Sequence, residues 1–269
     1  MTGGPVGRAT RLAACALATV VLSVLAAGCG SSQRARVATP ATVPTTTVPA
    51  RTVPRCSSGE RLPLGSTRRA WAGVASHGAV AYRRPGGPVV ARFGPKNVNR
   101  YPTVFAVIGR VLASDCTPRW YRVQLPVKPN GTTAFVRAAD LELQSVDTRI
   151  VVDVSDRRLT LYRDGKPSLT ATVAVGSSAT PTPTGRYYVN QRLVPSDPGG
   201  PFGPGAIGIS AYSTVLTGWT QGGPVAIHGT NEPWSIGHAV SNGCIRLPNR
   251  TLVRVFAAAV AGTPVIIRA

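Results

Sequence analysis

The chain has 269 residues, with 30 Lys and Arg against 10 Asp and Glu, giving a formal net charge of +20. That length allows one large domain or two small ones, each able to bury a core. With 24 Pro, 29 Gly and only 6% aromatic residues, the composition argues for many turns and against a long-helix protein. Such a charge attracts polyanions. It is spread along the chain, however, with no basic helix, zinc-ligand spacing or aromatic RNA motif, so nucleic acid is not the expected partner. An anionic cell envelope suits an exported chain better.

The N-terminus reads as an export signal. Arg8 and Arg11 precede an apolar run, Leu12 to Ala27, too short and small-residued for a comfortable membrane span. The run ends in Leu25-Ala26-Ala27-Gly28-Cys29, which resembles a bacterial lipobox, although leucine is more usual where Ala26 stands. Residues 1–29 are therefore read as a signal peptide with Cys29 as the lipidation site. An ordinary signal peptide cut nearby is the other reading. Diacylation of Cys29 plus an acylated N-terminus would anchor the chain stably at the outer face of the plasma membrane. Residues 30–55, rich in Thr, Pro, Ala and Val, have no periodicity and read as an extended linker.

Residues 56–146 alternate short apolar segments with turn residues. Val74–Arg83, Val89–Phe93, Val104–Leu112, Trp120–Leu125 and Ala134–Val136 are predicted strands. Pro85-Gly86-Gly87, Gly94-Pro95 and Pro129-Asn130-Gly131 mark turns between them. Strands of this size predict a small antiparallel barrel. The run from Trp120 to Val123 and the run from Ala134 to Leu141 resemble the last strands of bacterial SH3-like domains. His77, beside Gly78, reads as a lone surface or packed residue. Cys56 and Cys116 bracket this segment, and export permits a disulfide between them.

From residue 147 to 269 the pattern sharpens into a second, mainly β domain. Ile150–Val154, Leu159–Tyr162 and Leu169–Val175 are predicted strands, with Asp164-Gly165 as a hairpin turn. Tyr187–Asn190, Ala206–Ser210, Val225–His228, Cys244–Leu247 and Val265–Arg268 follow. One short helix is predicted from about Arg250 to Val260, with Asn249 as N-cap and Gly262 past its end.

Cysteine arithmetic leaves Cys244 as the one thiol without a structural task. A cysteine nucleophile needs a base, because a free thiol is mostly protonated at neutral pH. His228, at a strand end, is the nearest candidate, and the intervening loop allows the two to meet. No acid sits where it could orient that imidazole, so a backbone carbonyl is the expected acceptor. Gly243 permits a tight turn and leaves backbone N–H groups free for an oxyanion hole. Composition and spacing stop at a possible Cys/His acyl-transfer site.

Four motifs in order carry a resemblance beyond that point. They are the hairpin from Ile150 to Tyr162, Thr180-Pro181-Thr182-Pro183-Thr184-Gly185, His228-Gly229, and Ser241-Asn242-Gly243-Cys244-Ile245-Arg246. Together they resemble the L,D-transpeptidase catalytic (YkuD) domain family over nearly the whole second domain. The arrangement as a whole resembles an exported lipoprotein of actinobacterial type. The resemblance implies a mainly β fold, an SH3-like barrel followed by an L,D-transpeptidase-type β-sandwich or barrel with one short helix.

It also implies a peptidoglycan stem peptide as substrate. Cys244 would attack the donor carbonyl, terminal D-Ala would leave, and a diaminopimelate amine of a neighbouring stem would resolve the acyl-enzyme into a 3→3 cross-link. His228 would be the base and the Gly229 carbonyl would orient it. Backbone N–H groups around Asn242, Gly243 and Cys244 would hold the oxyanion. Arg246 and Ser241 are candidates for substrate contact, and Arg246 is equally a packing residue. No metal and no cofactor are needed. Asn242 stands where many family members have a second histidine, and Asn cannot exchange a proton near neutral pH. His238 could partly replace it but reads as a solvent-facing residue. Tyr212 and Trp234 could line a groove or a core.

Three other functions stay open. Water as acceptor would make an L,D-carboxypeptidase. Loss of turnover would leave a wall-binding lipoprotein. Charge alone would allow an anion-binding scaffold. The sequence sets no oligomeric state.

Overall fold

A computed structural model describes residues 55–269. Cys29, the signal segment and the linker up to residue 54 lie outside the described residues. The first half is built from β1 (Arg61–Pro63), β2 (Ala70–Val74), β3 (Ala79–Tyr82), β4 (Val89–Phe93), β5 (Val104–Leu112), β6 (Pro118–Gln124), β7 (Thr133–Arg137) and β8 (Glu142–Val146). They form one antiparallel sheet ordered β4-β3-β7-β6-β5-β2-β8, with β1 added on β5. The expected single strand Val74–Arg83 is two strands. The left-handed Gly78, φ +86°, turns the chain between β2 and β3, and a Cβ there would lie 2.6 Å from the Phe93 carbonyl oxygen. Phe105, Val107, Val123, Leu125 and Val136 alternate inward and form this half's core. Cys56 and Cys116 are joined by a disulfide.

The second half contains β9 (Thr148–Asp153), β10 (Arg158–Arg163), β11 (Lys166–Thr172), β12 (Val175–Gly176), β13 (Gly185–Leu193), β14 (Ala206–Tyr212), β15 (Pro224–His228), β16 (Ala239–Ser241), β17 (Ile245–Arg246), α1 (Asn249–Ala258) and β18 (Pro264–Arg268). Eight of these strands make a mixed sheet, β11-β10-β9-β18-β13-β14-β15-β17; β12 and β16 pair separately in parallel. Ile150, Val152, Ile207, Ile209, Ile227, Ile245 and Ile267 point to one core, which α1 covers with Leu252 and Val255. The described residues are thus mainly β with one α-helix. The hairpin at Asp164-Gly165 has both residues at positive φ, 50° and 79°, as a primed two-residue turn demands.

Three expectations change. Cys244 lies just before its strand rather than in it. The helix is capped by Pro248, and Asn249 is its first residue; the Asn249 side chain is drawn away to the loop after His228. Gly262 does not cap the helix either. A Cβ there would lie 2.3 Å from that of Ala72, so Gly262 lets β2 approach the second half closely. The helix end is served instead by Arg192, whose Nη2 donates to the Phe256 carbonyl at 2.5 Å.

The two halves, residues 55–269, lie in one compact unit. Tyr188, fully buried, donates its hydroxyl to the Val104 carbonyl at 3.1 Å. The Asn130 side chain pairs with the main chain of Tyr212 in both directions, at 2.8 and 2.9 Å. Gln191 accepts from Asn97 and Asn99 at 2.8 and 2.9 Å.

Candidate active site

The parallel pairing of β15 with β17 sets the site. Ile227 faces Ile245 and His228 faces Arg246, in register. Ile227 and Ile245 are both fully buried in the core. Because side chains alternate along a strand, His228 and Arg246 are turned to the opposite face, and Cys244 sits directly ahead of β17 with its sulfur against the Ala226 N–H. The sheet thus brings together a thiol, an imidazole and a guanidinium that are separated by up to eighteen positions in sequence.

His228 is 4% exposed. Its Nδ1 lies 2.5 Å from the Gly229 carbonyl oxygen. That contact assigns the proton to Nδ1 and leaves Nε2 as the basic nitrogen. Phe202 meets the imidazole edge-on, with ring centroids 5.0 Å apart. Burial pushes the pKa of His228 down to about 4; the Gly229 carbonyl opposes the shift and the nearby Arg246 charge adds to it. At neutral pH this imidazole is uncharged.

Cys244 is partly exposed. The Ala226 N–H donates to its sulfur at 3.4 Å. Burial pushes the thiol pKa up, while that N–H and the Arg246 charge pull it down. The upward push prevails, so the resting pair is a thiol beside a neutral imidazole. What such a pair can do is general-base chemistry, with the imidazole taking the proton as the sulfur attacks, rather than the chemistry of a standing ion pair.

The turn that presents the thiol is tied internally. Ser241, buried, donates its hydroxyl to the Cys244 carbonyl at 2.5 Å and accepts the Gly243 N–H at 3.1 Å. Ser241 thus braces the turn, and the Gly243 N–H is held by its hydroxyl. The N–H groups of Asn242 and Cys244 take no part in holding the turn, so they are the candidate oxyanion donors. Gly243 keeps φ at +105°, where other residues are strained. Asn242 is exposed and His238 is exposed too.

The Thr180–Gly185 segment grips the same turn. Thr182 accepts the Gly176 N–H at 2.8 Å and donates to the Gly243 carbonyl at 3.0 Å. Thr180 donates to the Ser241 carbonyl at 3.0 Å. On the other side, Asn249 accepts the Thr230 N–H at 2.8 Å. A Cβ on Gly229 would lie 2.3 Å from that Asn249 oxygen, so only glycine fits after His228.

Arg246 forms an ion pair with Glu232 and is largely covered. Tyr212 packs into the contact with the first half through its hydroxyl, 2.8 Å from the Pro126 carbonyl, and Trp234 is 63% exposed. Among the described residues no group of three His, Cys, Asp or Glu is placed to hold a metal ion.

The family model of the L,D-transpeptidase catalytic domain, YkuD, matches residues 147–267. "Putative L,D-transpeptidase YkuD" of Bacillus subtilis (strain 168) is 38% identical over 123 residues, which cover 46% of this chain and 67% of that protein. The chain belongs to the YkuD family of L,D-transpeptidase catalytic domains. "Putative L,D-transpeptidase YqjB" of the same organism is 32% identical over 131 residues, 45% of this chain and 71% of that protein. Among solved structures, the catalytic domain of an E. faecium L,D-transpeptidase is 26% identical and covers 45% of this chain and 97% of its own length. Its TM-score is 0.34, so membership of the YkuD family rests on the sequence relatives.

Sequence reading does not single out Phe202 or Glu232, and it takes Asn249 only as a helix cap. The Pro201-Phe202-Gly203-Pro204-Gly205 run marks a constrained loop, and a lone aromatic within it is the one signal that could have pointed to Phe202. Glu232 is the only acidic residue between His228 and Cys244, which could have paired it with Arg246. Nothing in the sequence marks the role of Asn249.

Proposed function

We propose that this protein is a peptidoglycan L,D-transpeptidase that works through a Cys244 acyl-enzyme. The observation that carries the proposal is the in-register pairing of β15 and β17, which sets His228 opposite Arg246, with the Cys244 sulfur directly ahead of β17 against the Ala226 N–H. As Cys244 attacks the donor carbonyl, His228 Nε2 takes the thiol proton. The oxyanion is held by the Asn242 and Cys244 N–H groups. The protonated imidazole then returns its proton to the leaving amine of terminal D-Ala, and Gly229 keeps the ring oriented throughout. A diaminopimelate amine on a second stem loses its proton to His228 and attacks the thioester, which gives the 3→3 link and restores the thiol.

Arg246, fixed by Glu232, favours the thiolate form of Cys244 and keeps the resting imidazole of His228 uncharged. In the same reading residues 1–29 export and lipidate the chain at Cys29, residues 30–55 are a tether, and residues 56–146 are an SH3-like module ahead of a catalytic domain from 147 to 269. The module's single antiparallel sheet and separate core support that part.

The test is covalent. The wild-type chain should gain the mass of one carbapenem, and Cys244→Ala should gain none. His228→Ala should acylate about 100-fold more slowly, as loss of a general base requires. An adduct retained by Cys244→Ala removes the nucleophile assignment. A muropeptide digest with and without the protein then reads the product: cross-linked dimers for transfer to an amine, trimmed stems for transfer to water.

A further inference from the structure

Four arginines from distant points of the chain, Arg61, Arg83, Arg110 and Arg122, line one cavity of about 540 Å³ on the first sheet. Arg61 is on β1, Arg83 follows β3, and Arg110 and Arg122 lie on β5 and β6. No basic run in the sequence announces them. The fold gathers them by pairing Gly109 with Arg122, Arg122 with Phe135, and Leu62 with Arg110. No carboxylate lines the cavity. Among the described residues, none of the four arginines is in an ion pair.

Their existing partners are weak. Arg122 donates to the Thr133 hydroxyl at 3.2 Å. The Arg61 guanidinium sits 5.6 Å from the centre of the Phe135 ring. Arg110 Nε is buried and has no acceptor at all. A buried N–H without an acceptor is costly, and four like charges around one hollow repel one another. One occupant relieves both: an anion with several oxygens.

We propose that this cavity binds a phosphate ester carried on a sugar or polyol unit of an envelope polyanion. A guanidinium fork takes two oxygens at once. A carboxylate satisfies one fork, whereas a tetrahedral phosphate offers oxygens to more than one. The cavity is larger than a phosphate alone needs, and Leu62, Ile108 and Phe135 supply an apolar wall for the attached carbon skeleton. The first half thereby acts as a tether point that holds the chain to a phosphate-bearing polymer. This is independent of the chemistry at Cys244.

The test is calorimetric titration of the full-length protein, held in neutral detergent at about 0.1 M salt, where exposed charges are substantially screened. The probes are glycerol 3-phosphate, a short poly(glycerol phosphate), succinate, and phosphatidylglycerol vesicles. Wild type should bind both phosphate probes saturably and the oligomer more tightly. Arg83→Glu/Arg122→Glu should weaken binding about tenfold or more. Arg250→Glu/Arg254→Glu, the same change of net charge on exposed residues of α1, should bind as wild type does. Equal weakening by both pairs overturns the site in favour of net charge. Succinate binding as tightly as glycerol 3-phosphate overturns the phosphate assignment. Binding confined to the vesicles and weakened by Arg83→Glu/Arg122→Glu gives the four arginines to a lipid surface and overturns the polymer unit, and vesicle binding that this pair leaves unchanged, with no phosphate probe bound, overturns the site altogether.

Discussion

A neutral thiol beside a neutral imidazole fixes when the proton moves. In the proposed reaction His228 serves as a base only while uncharged, and burial pushes its pKa down to about 4. The sign follows directly. Above that value the base is ready; as the pH falls through it the ring is protonated and acylation stops. The rate of carbapenem acylation by the wild type should therefore be flat through mildly acidic pH and fall with a midpoint near 4. An acid limb centred near 6.5, the ordinary histidine value, would mean that His228 is solvated in the working enzyme or is not the base. The thiol, pushed upward by burial, supplies little thiolate of its own near neutrality. Asn242, exposed and unable to titrate there, changes neither limb.

At the scale of elements, the Thr180–Gly185 segment belongs to the site as much as β15 does. Thr182 joins Gly176 of β12 to Gly243 of the nucleophile turn through one buried hydroxyl. Thr182→Val keeps the shape but strands a buried N–H and loosens a carbonyl, at a cost of about 1–3 kcal/mol. We expect acylation to slow by about tenfold or more while the far-ultraviolet circular dichroism stays unchanged. Wild-type acylation kinetics in that variant would show that the turn holds its shape without the clamp.

This also marks where the sequence was legible. Alternation of Ile and Val revealed β9 and β15 because their buried residues sit at period two. Asp164-Gly165 announced its hairpin because two adjacent positive φ angles demand such residues. His228 and Cys244 stood out by residue type. What stayed hidden was decided by contacts across long stretches of chain. Ser241 turned inward, Asn249 left its expected cap for Thr230, and Gly262 made room for Ala72. No local pattern encodes such partners.

For the whole molecule, the contact between the two sheets is part of the fold rather than a loose joint. Tyr188 is buried under its bond to Val104, and Ala72, Val104 and Val146 form a small core of their own that Ala261 joins. Tyr188→Phe should cost about 1 kcal/mol, or roughly 2–4 °C of melting temperature for a unit of this size. Scanning calorimetry should still show a single transition in both proteins. Two separated transitions in the wild type would mean that the halves fold independently.

The disulfide closes within a stretch that ends at Val146, where β8 completes the first sheet, and Cys244 lies almost a hundred residues further on. A chain that emerges from its N-terminus first can fold that sheet and join Cys56 to Cys116 before the reactive thiol has appeared. The order of synthesis thus keeps Cys244 from competing for either partner, and among the described residues it arrives as the one thiol with nothing left to pair with.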